Sequence, residues 1–397
     1  MRILMINSFF SVGGPPRIVK GLYDVLTEDG NECLLAATRE KPLENMEVFQ
    51  LGSKYSANWN ALKARIFDNE GFSAKKATQN LVRKIVEYNP DVIHLHNLHG
   101  YYINIRILFK FLEKANIPVV WTLHDCWAFT GHCSHFDFIG CEKWKTGCHH
   151  CPQKKMYPKS MVLDKSKRNW EEKKLLFSSP SNMTIVTPSN WLAELVKNSF
   201  LNKYPVEVIH NGIDLEVFKP TPSTWKEDHG ITRPVILACA AVWGQRKGYD
   251  DVLKLAESLP KYQIVIVGIS KKQKMKLPSS IIGIQRTDSV RELVKLYSAA
   301  DVFINPTYED NFPTVNLEAL ACGTPVITYD TGGSPECIDQ SCGVVVEKGN
   351  MQEMVEKIPS AMKLKRDECI AFSQRFSKHI KYSEYYKYFT EFIIGNK

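Results

Sequence analysis

The sequence of 397 residues contains no run of about 18 apolar residues, so it offers no membrane-spanning helix. Its opening, MRILMINSFFSVGG, has only a short apolar stretch, ends in Gly13-Gly14 and has no small-residue cleavage site. It reads as a first β-strand rather than an export leader. No zinc-finger, helix-turn-helix or RNA-binding-sheet signature is present, which argues against a nucleic-acid partner. The glycine-rich phosphate motifs GxGxxG and the P-loop are also missing, so the two best-known routes to a bound nucleotide do not apply.

What is present reads as a folded globular chain. Hydrophobic residues make up 44% and charged residues 24%. The length exceeds what one hydrophobic core usually supports, so two domains are expected. The net charge of +8 is scattered, except in QKKMYPKSMVLDKSKRNWEEKK from Gln153. That segment is either a solvated helix or loop, or a contact to anionic membrane. There are eleven cysteines, an odd number. Cys33, Cys239, Cys322 and Cys369 stand singly in apolar or helical surroundings, which predicts free thiols in a reducing, cytoplasmic setting.

Both halves alternate short apolar strands with amphipathic helices. RILMINSFF, ECLLAAT, DVIHLHN, IPVVWTLHD and MTIVTPS are strands of the first half; VILACAAV, YQIVIVGI, SIIGIQRT, DVFINPT, PVITYD and GVVVEKG follow in the second. This alternation predicts an α/β protein with two Rossmann-like domains, whose parallel helix-covered sheets face each other across a cleft. The expected domains are 1–215, with a cysteine-rich insert at 126–152, and 216–375; a terminal helix, 376–397, is expected to pack back toward the first domain. Ligands of such sheets sit beyond the carboxyl ends of the strands.

The candidate residues fall in those loops. Gly13 and Gly14 follow the first strand and either make a tight turn or let a ligand reach a helix N-terminus. Gly244 and Gly248 bracket Arg246 and Lys247, which form either a solvated basic turn or a clamp for a diphosphate. Gly332 and Gly333 follow another strand and touch phosphate or simply turn the chain. Glu318 is expected in the first turn of an apolar helix, where a carboxylate can accept both hydroxyls of a sugar diol. His124, after a central strand, is either a structural histidine or a donor to a hydroxyl or phosphate. Asp125 beside it orients that ring or accepts from water. His94 and His96 share a strand face, but no third metal ligand is aligned with them.

In chain order, FSVGGP, DVIHLHN, TLHD, VTPSNW, VIHNGID, RKG, SAADVFINPTYEDNFPTVNLEALACGTPVI and TGGSPE resemble the retaining glycosyltransferases with two Rossmann domains known as family 4. The resemblance covers nearly the whole chain, and the long block from Ser298 is its specific part. It implies the GT-B fold, a nucleotide-sugar donor (UDP- or GDP-linked) in the second domain and a saccharide or lipid-linked acceptor against the first. No cofactor is required. The family's Glu, seven residues, Glu signature places Glu318 on the nucleotide ribose and Asp310 at the transferred sugar, with Glu309 off register by one. Asp310 is one methylene shorter than the usual Glu. Lys247 matches the family lysine, whereas the usual arginine position is Val242; Arg246 would replace that charge from another direction. His124, Asp310 and Lys247 are thus the expected catalytic groups, with same-face substitution and no covalent intermediate. A hydrolase or epimerase of this fold, or a binding module without turnover, competes with transfer.

CWAFTGHCSHFDFIGCEKWKTGCHHCP holds five more cysteines. Cys133, Cys141, Cys148 and Cys151 are spaced to bind a structural zinc, although packed thiols or disulfides fit the same spacing. The insert resembles that of a subset of family 4 enzymes of bacterial surface polysaccharides, including colanic acid, capsular and exopolysaccharide synthesis. That subset would act in the cytoplasm, at or near the inner face of the plasma membrane.

Overall fold

The computed structural model describes residues 1–9, 14–38 and 46–395. Two compact units result: Met1–His210 together with Tyr382–Lys397, and Asn211–Lys381. Each contains one parallel sheet, and each is a Rossmann-like domain of the GT-B type.

In the first unit the strands are β1 (Arg2–Ile6), β2 (Glu32–Ala37), β3 (Val48–Gln50), β4 (Val92–Leu95), β5 (Val119–Thr122), β6 (Met183–Thr187) and β7 (Val206–Val208). Their order is β3-β2-β1-β4-β5-β6-β7, and every described pairing is parallel. In the second unit β8 (Val235–Cys239), β9 (Gln263–Val267), β10 (Ile281–Ile284), β11 (Val302–Asn305), β12 (Val326–Tyr329) and β13 (Gly343–Val346) form the order β10-β9-β8-β11-β12-β13. Strand order reverses between β1 and β4 in one sheet and between β8 and β11 in the other. These are the switch points beyond which such sheets open to ligands.

Apolar residues occupy both faces of the strands because helices cover both faces. Val235 and Leu237 of β8 enter one core with Val265, Val267 and Phe303, while the intervening Ile236 and Ala238 enter another with Ile264, Ile266 and Ile304. The first sheet divides likewise, Leu4 and Ile6 on one side and Ile3 and Met5 on the other. Alternation of side chains combined with two-sided burial turns each strand into a continuous apolar run. The last helix, Lys378–Gly395, buries Tyr382, Tyr385 and Phe389. Within the first unit Tyr385 joins Thr122 through their hydroxyls, 3.2 Å apart, and the Tyr388 hydroxyl lies 2.6 Å from that of Thr184.

One stripe of this core is polar. His94 Nε2 lies 2.8 Å from Thr122 Oγ1, and His96 Nδ1 lies 3.0 Å from His124 Nε2. The His94 and His96 rings are 4.0 Å apart. Burial lowers all three pKa values, His94 to about 3 and His124 to about 4, with His96 also well below its usual value. Three imidazoles in contact are tolerated because they stay neutral.

Among the described residues, nothing in the cysteine insert supports the expected zinc centre. Cys133, Cys141, Cys148 and Cys151 line one small cavity with Phe136 and Trp144. All are free thiols, and among the described residues no group of three or more His, Cys, Asp or Glu side chains is arranged to hold a metal ion. The sulfurs have other partners: the Gly131 N–H donates to Cys148 Sγ at 3.2 Å, and a hydrogen bond between Cys133 and Cys151 pushes the Cys133 thiol up and that of Cys151 down. The insert is held instead by Lys173. This residue belongs to the basic segment, yet it is buried; it donates to the Trp127 and Thr130 carbonyls at 2.7 and 3.1 Å. Its ammonium lies 3.3 Å from the Trp127 ring centroid, and burial lowers its pKa to about 7.

Two predictions follow from this core. Between pH 6.5 and about 4 the unfolded chain binds protons that buried His94, His96 and His124 refuse. Their stability contribution is therefore complete above about pH 6.5 and is lost as pH falls, by up to about 1.4 kcal/mol per pH unit for each histidine. His132, ion-paired with Asp68 and raised in pKa, and Glu70, raised by burial, oppose this, but they are two groups against three. Urea midpoints should fall on acidification from pH 7 to 5, and His94→Gln should flatten that slope; an unchanged slope would contradict a neutral triad. Separately, the packed-thiol arrangement predicts less than about 0.5 zinc per chain in freshly reduced protein by elemental analysis, whereas a stoichiometric ion would refute it.

Candidate active site

In the second unit, the loops after β8, β11 and β12 converge at the switch point. Trp243 anchors the first of them by donating its indole N–H to the Val267 carbonyl at 2.7 Å. A single helical turn, Gln245–Lys247, follows. Gly248 ends it at φ +71°, and a Cβ there would lie 2.1 Å from the Pro306 carbonyl oxygen, so only glycine fits. The loop after β11 is laced to this turn. The Tyr308 N–H donates to the Arg246 carbonyl at 2.8 Å, and Arg246 Nη1 donates to the Glu309 carbonyl at 2.8 Å.

This lacing brings Lys247 and Asp310 into a direct ion pair. Burial lowers the lysine pKa, and the Asp310 carboxylate opposes that shift. The third loop fixes Asp310 from behind. The Gly333 N–H donates to the Asp310 carbonyl at 3.0 Å. Gly332 has φ +56°, and a Cβ there would lie 1.9 Å from that same oxygen. The glycine pair therefore seats Asp310, and the N–H of Gly333 is occupied by that task.

Glu318 lies in helix Thr314–Ala321, in its second turn rather than the first. The helix starts at Thr314 because Pro313 sets the turn before it. Glu318 is buried and accepts from the Tyr297 hydroxyl at 3.1 Å. Pro313 provides no side-chain cap, so the N-terminal N–H groups of this helix lack that partner. Val242, the position of the missing arginine, is 77% exposed. Arg246 uses Nη1 on the Glu309 carbonyl, and Glu309 itself is fully buried.

In the first unit, Gly13 lies outside the described residues. Gly14 is the first residue of helix Gly14–Glu28, and a Cβ there would meet nothing within 4 Å, so the chain itself does not demand glycine. His124 is buried beyond β5 and neutral. Asp125 does not orient it: its Oδ2 pairs with His99 Nε2 at 2.7 Å, and its Oδ1 accepts from the Trp127 N–H at 2.9 Å. Burial alone would raise the Asp125 pKa, but His99 holds it at about 2. The partner of His124 is His96.

Sequence reasoning missed Asp251, which is buried in the first turn of helix Tyr249–Ser258 and accepts from the Tyr308 and Tyr329 hydroxyls at 2.8 and 2.9 Å. It also missed Tyr297. The only signal was an acid inside an otherwise apolar helix face, next to an exposed one, Asp250.

Residues 12–217 match the family model described as Glycosyltransferase Family 4, and residues 223–380 match Glycosyl transferases group 1. A glycosyl transferase of Escherichia coli K12, WcaC, provisionally assigned to colanic acid biosynthesis, is 25% identical over 319 residues, 78% of this chain and 76% of its own. D-inositol 3-phosphate glycosyltransferase of Mycobacterium tuberculosis is 29% identical over 175 residues, 40% of this chain and 36% of its own. Among solved structures, sucrose-phosphate synthase of Thermosynechococcus elongatus has a TM-score of 0.72 at 16% identity, covering 99% of each chain. Anabaena HepE in complex with UDP-glucose has a TM-score of 0.67 at 16% identity, covering 98% of this chain and 100% of its own. With the first family model spanning more than half of its length, the chain belongs to Glycosyltransferase Family 4 and is a glycosyltransferase.

Proposed function

We propose that the enzyme transfers a sugar, with retention, from a nucleotide-sugar to a hydroxyl of a saccharide or lipid-linked saccharide in surface polysaccharide synthesis. The observation that carries this reading is the Lys247–Asp310 pair at the end of the second sheet, with Arg246 beside it. The UDP-glucose complex of like fold supports a uridine donor, and the relative assigned to colanic acid biosynthesis supports a polysaccharide product.

A diphosphate needs cations and amides placed before the reaction begins. Lys247 supplies one cation, and the uncapped start of helix Thr314–Ala321 supplies N–H groups and a positive dipole end. In this reading an arriving diphosphate competes with Asp310 for the Lys247 ammonium. Asp310 is then released to accept from hydroxyls of the sugar, so ligand entry exchanges one satisfied pair for two. Glu318, held by Tyr297, takes the ribose diol. As the anomeric C–O bond breaks, its electrons pass to the diphosphate oxygen, and Lys247 stabilises that charge more than it stabilises the intact donor. The acceptor hydroxyl adds on the same face and gives its proton to the departing phosphate. On the acceptor side His124 takes part, and its neutral imidazole suits a hydroxyl partner better than an acid role.

Lys247→Ala and Glu318→Ala should each lower acceptor-dependent nucleotide release by roughly 100-fold or more in kcat/KM. Thermal melting of each variant separates this from unfolding. Undiminished turnover in both would overturn the assignment, and a glycosyl group trapped on Asp310 would replace same-face substitution with double displacement.

A further inference from the structure

Helix Lys54–Phe67 is amphipathic the wrong way round. Its protein-facing side is small: Ala57, Asn60, Ala61 and Ala64. Its large apolar residues face outward, with Tyr55 87%, Trp59 58%, Leu62 44% and Ile66 37% exposed. The spacing of four, three and four places them along one stripe. A soluble helix normally buries such a stripe.

A second exposed apolar segment is fastened to the end of this helix. The Met161 N–H donates to the Arg65 carbonyl at 2.7 Å, and the Leu163 N–H donates to the Ile66 carbonyl at 3.1 Å. Those carbonyls are the ones a helix C-terminus leaves open. The bonds join the stripe to Met161, 62% exposed, and Val162, 60% exposed. Residues 54–67 and 153–163 together carry six lysines and arginines and no acid. The acids that adjoin these segments are engaged: Asp68 is buried and paired with His132, and Asp164 accepts from the Cys151 N–H at 2.7 Å and from Ser166.

We propose that this face seats the enzyme on an anionic lipid surface, with the apolar stripe entering the headgroup boundary and the cations against lipid phosphates. A contiguous row of exposed large apolar side chains marks an interaction site. Its cations decide the partner. Protein interfaces are depleted of lysine, and a second copy would set like charges against each other. Anionic bilayers attract this mixture of basic and aromatic residues. The face also touches the histidine network, since the Tyr157 hydroxyl lies 2.9 Å from His99 Nδ1 and His99 pairs with Asp125. The docking goes beyond the proposed transfer reaction and does not depend on it.

The full chain should cosediment with phosphatidylcholine vesicles containing phosphatidylglycerol, more than with phosphatidylcholine alone, and less as salt rises. A Trp59→Ser, Leu62→Ser, Ile66→Ser variant should bind about tenfold less, and so should Lys154→Gln, Lys155→Gln, Lys159→Gln. Trp59→Phe should keep binding but lose quenching by brominated lipid. Nucleotide release with a soluble acceptor should survive the serine substitutions. That readout keeps a failure of docking distinct from a failure of the transfer reading. Absence of binding to the anionic vesicles, or binding unchanged in both multiple variants, would overturn the proposal. So would a concentration-dependent dimer of the native chain that the serine variant abolishes.

Discussion

Everything else in the second unit is arranged around the charge shared by Lys247 and Asp310. A partly buried ammonium and a partly buried carboxylate are each costly alone; together they satisfy one another. Holding them together takes three loops. The Arg246 turn is tied to Tyr308 and Glu309, and the Gly332–Gly333 turn is pressed against the Asp310 carbonyl. Asp251 pins Tyr308 and Tyr329 from below, linking the β11 and β12 loops to the helix that follows Lys247. A parallel sheet brings its loops to one edge, and the hydrogen bonds decide which atoms meet there.

The first unit handles burial differently. There the polar groups beneath the strand ends are histidines, which accept burial by giving up their charge. Asp125, a charged group beside them, is kept ionised by His99. The first unit thus adds a neutral network to its buried pairs, whereas the site of the second rests on a compensated ion pair.

Much of this was legible because strands buried on both faces leave continuous apolar runs such as VILACAAV and YQIVIVGI. The order of strands and helices then places Lys247, Asp310 and Glu318 after strands. What could not be read was side-chain partnership across long separations. Asp125 and His124 are adjacent in sequence, yet the former serves His99 and the latter His96. Glu318 falls in the second turn rather than the first because that helix begins at Thr314, directly after Pro313. The cysteine spacing fitted zinc, but spacing says nothing of whether the sulfurs will pair with each other and with a backbone N–H. Lys173 looked like one more solvated charge until the fold enclosed it against Trp127.

Helix Lys54–Phe67 shows where an absence of pattern is itself informative. Its alanines face the protein and its tryptophan faces out, so core packing cannot account for the choice of residues. In helix Gly14–Glu28, by contrast, local sequence and burial agree: Ile18, Leu22, Val25 and Leu26 turn inward as its periodicity requires. A sequence that obeys the rule in one helix and inverts it in another carries a constraint at the second that folding alone does not impose. Lysines at both ends of the exposed stripe, and a second apolar segment hydrogen-bonded to the helix's last turn, give that constraint a direction: the face is built to meet a surface both apolar and anionic.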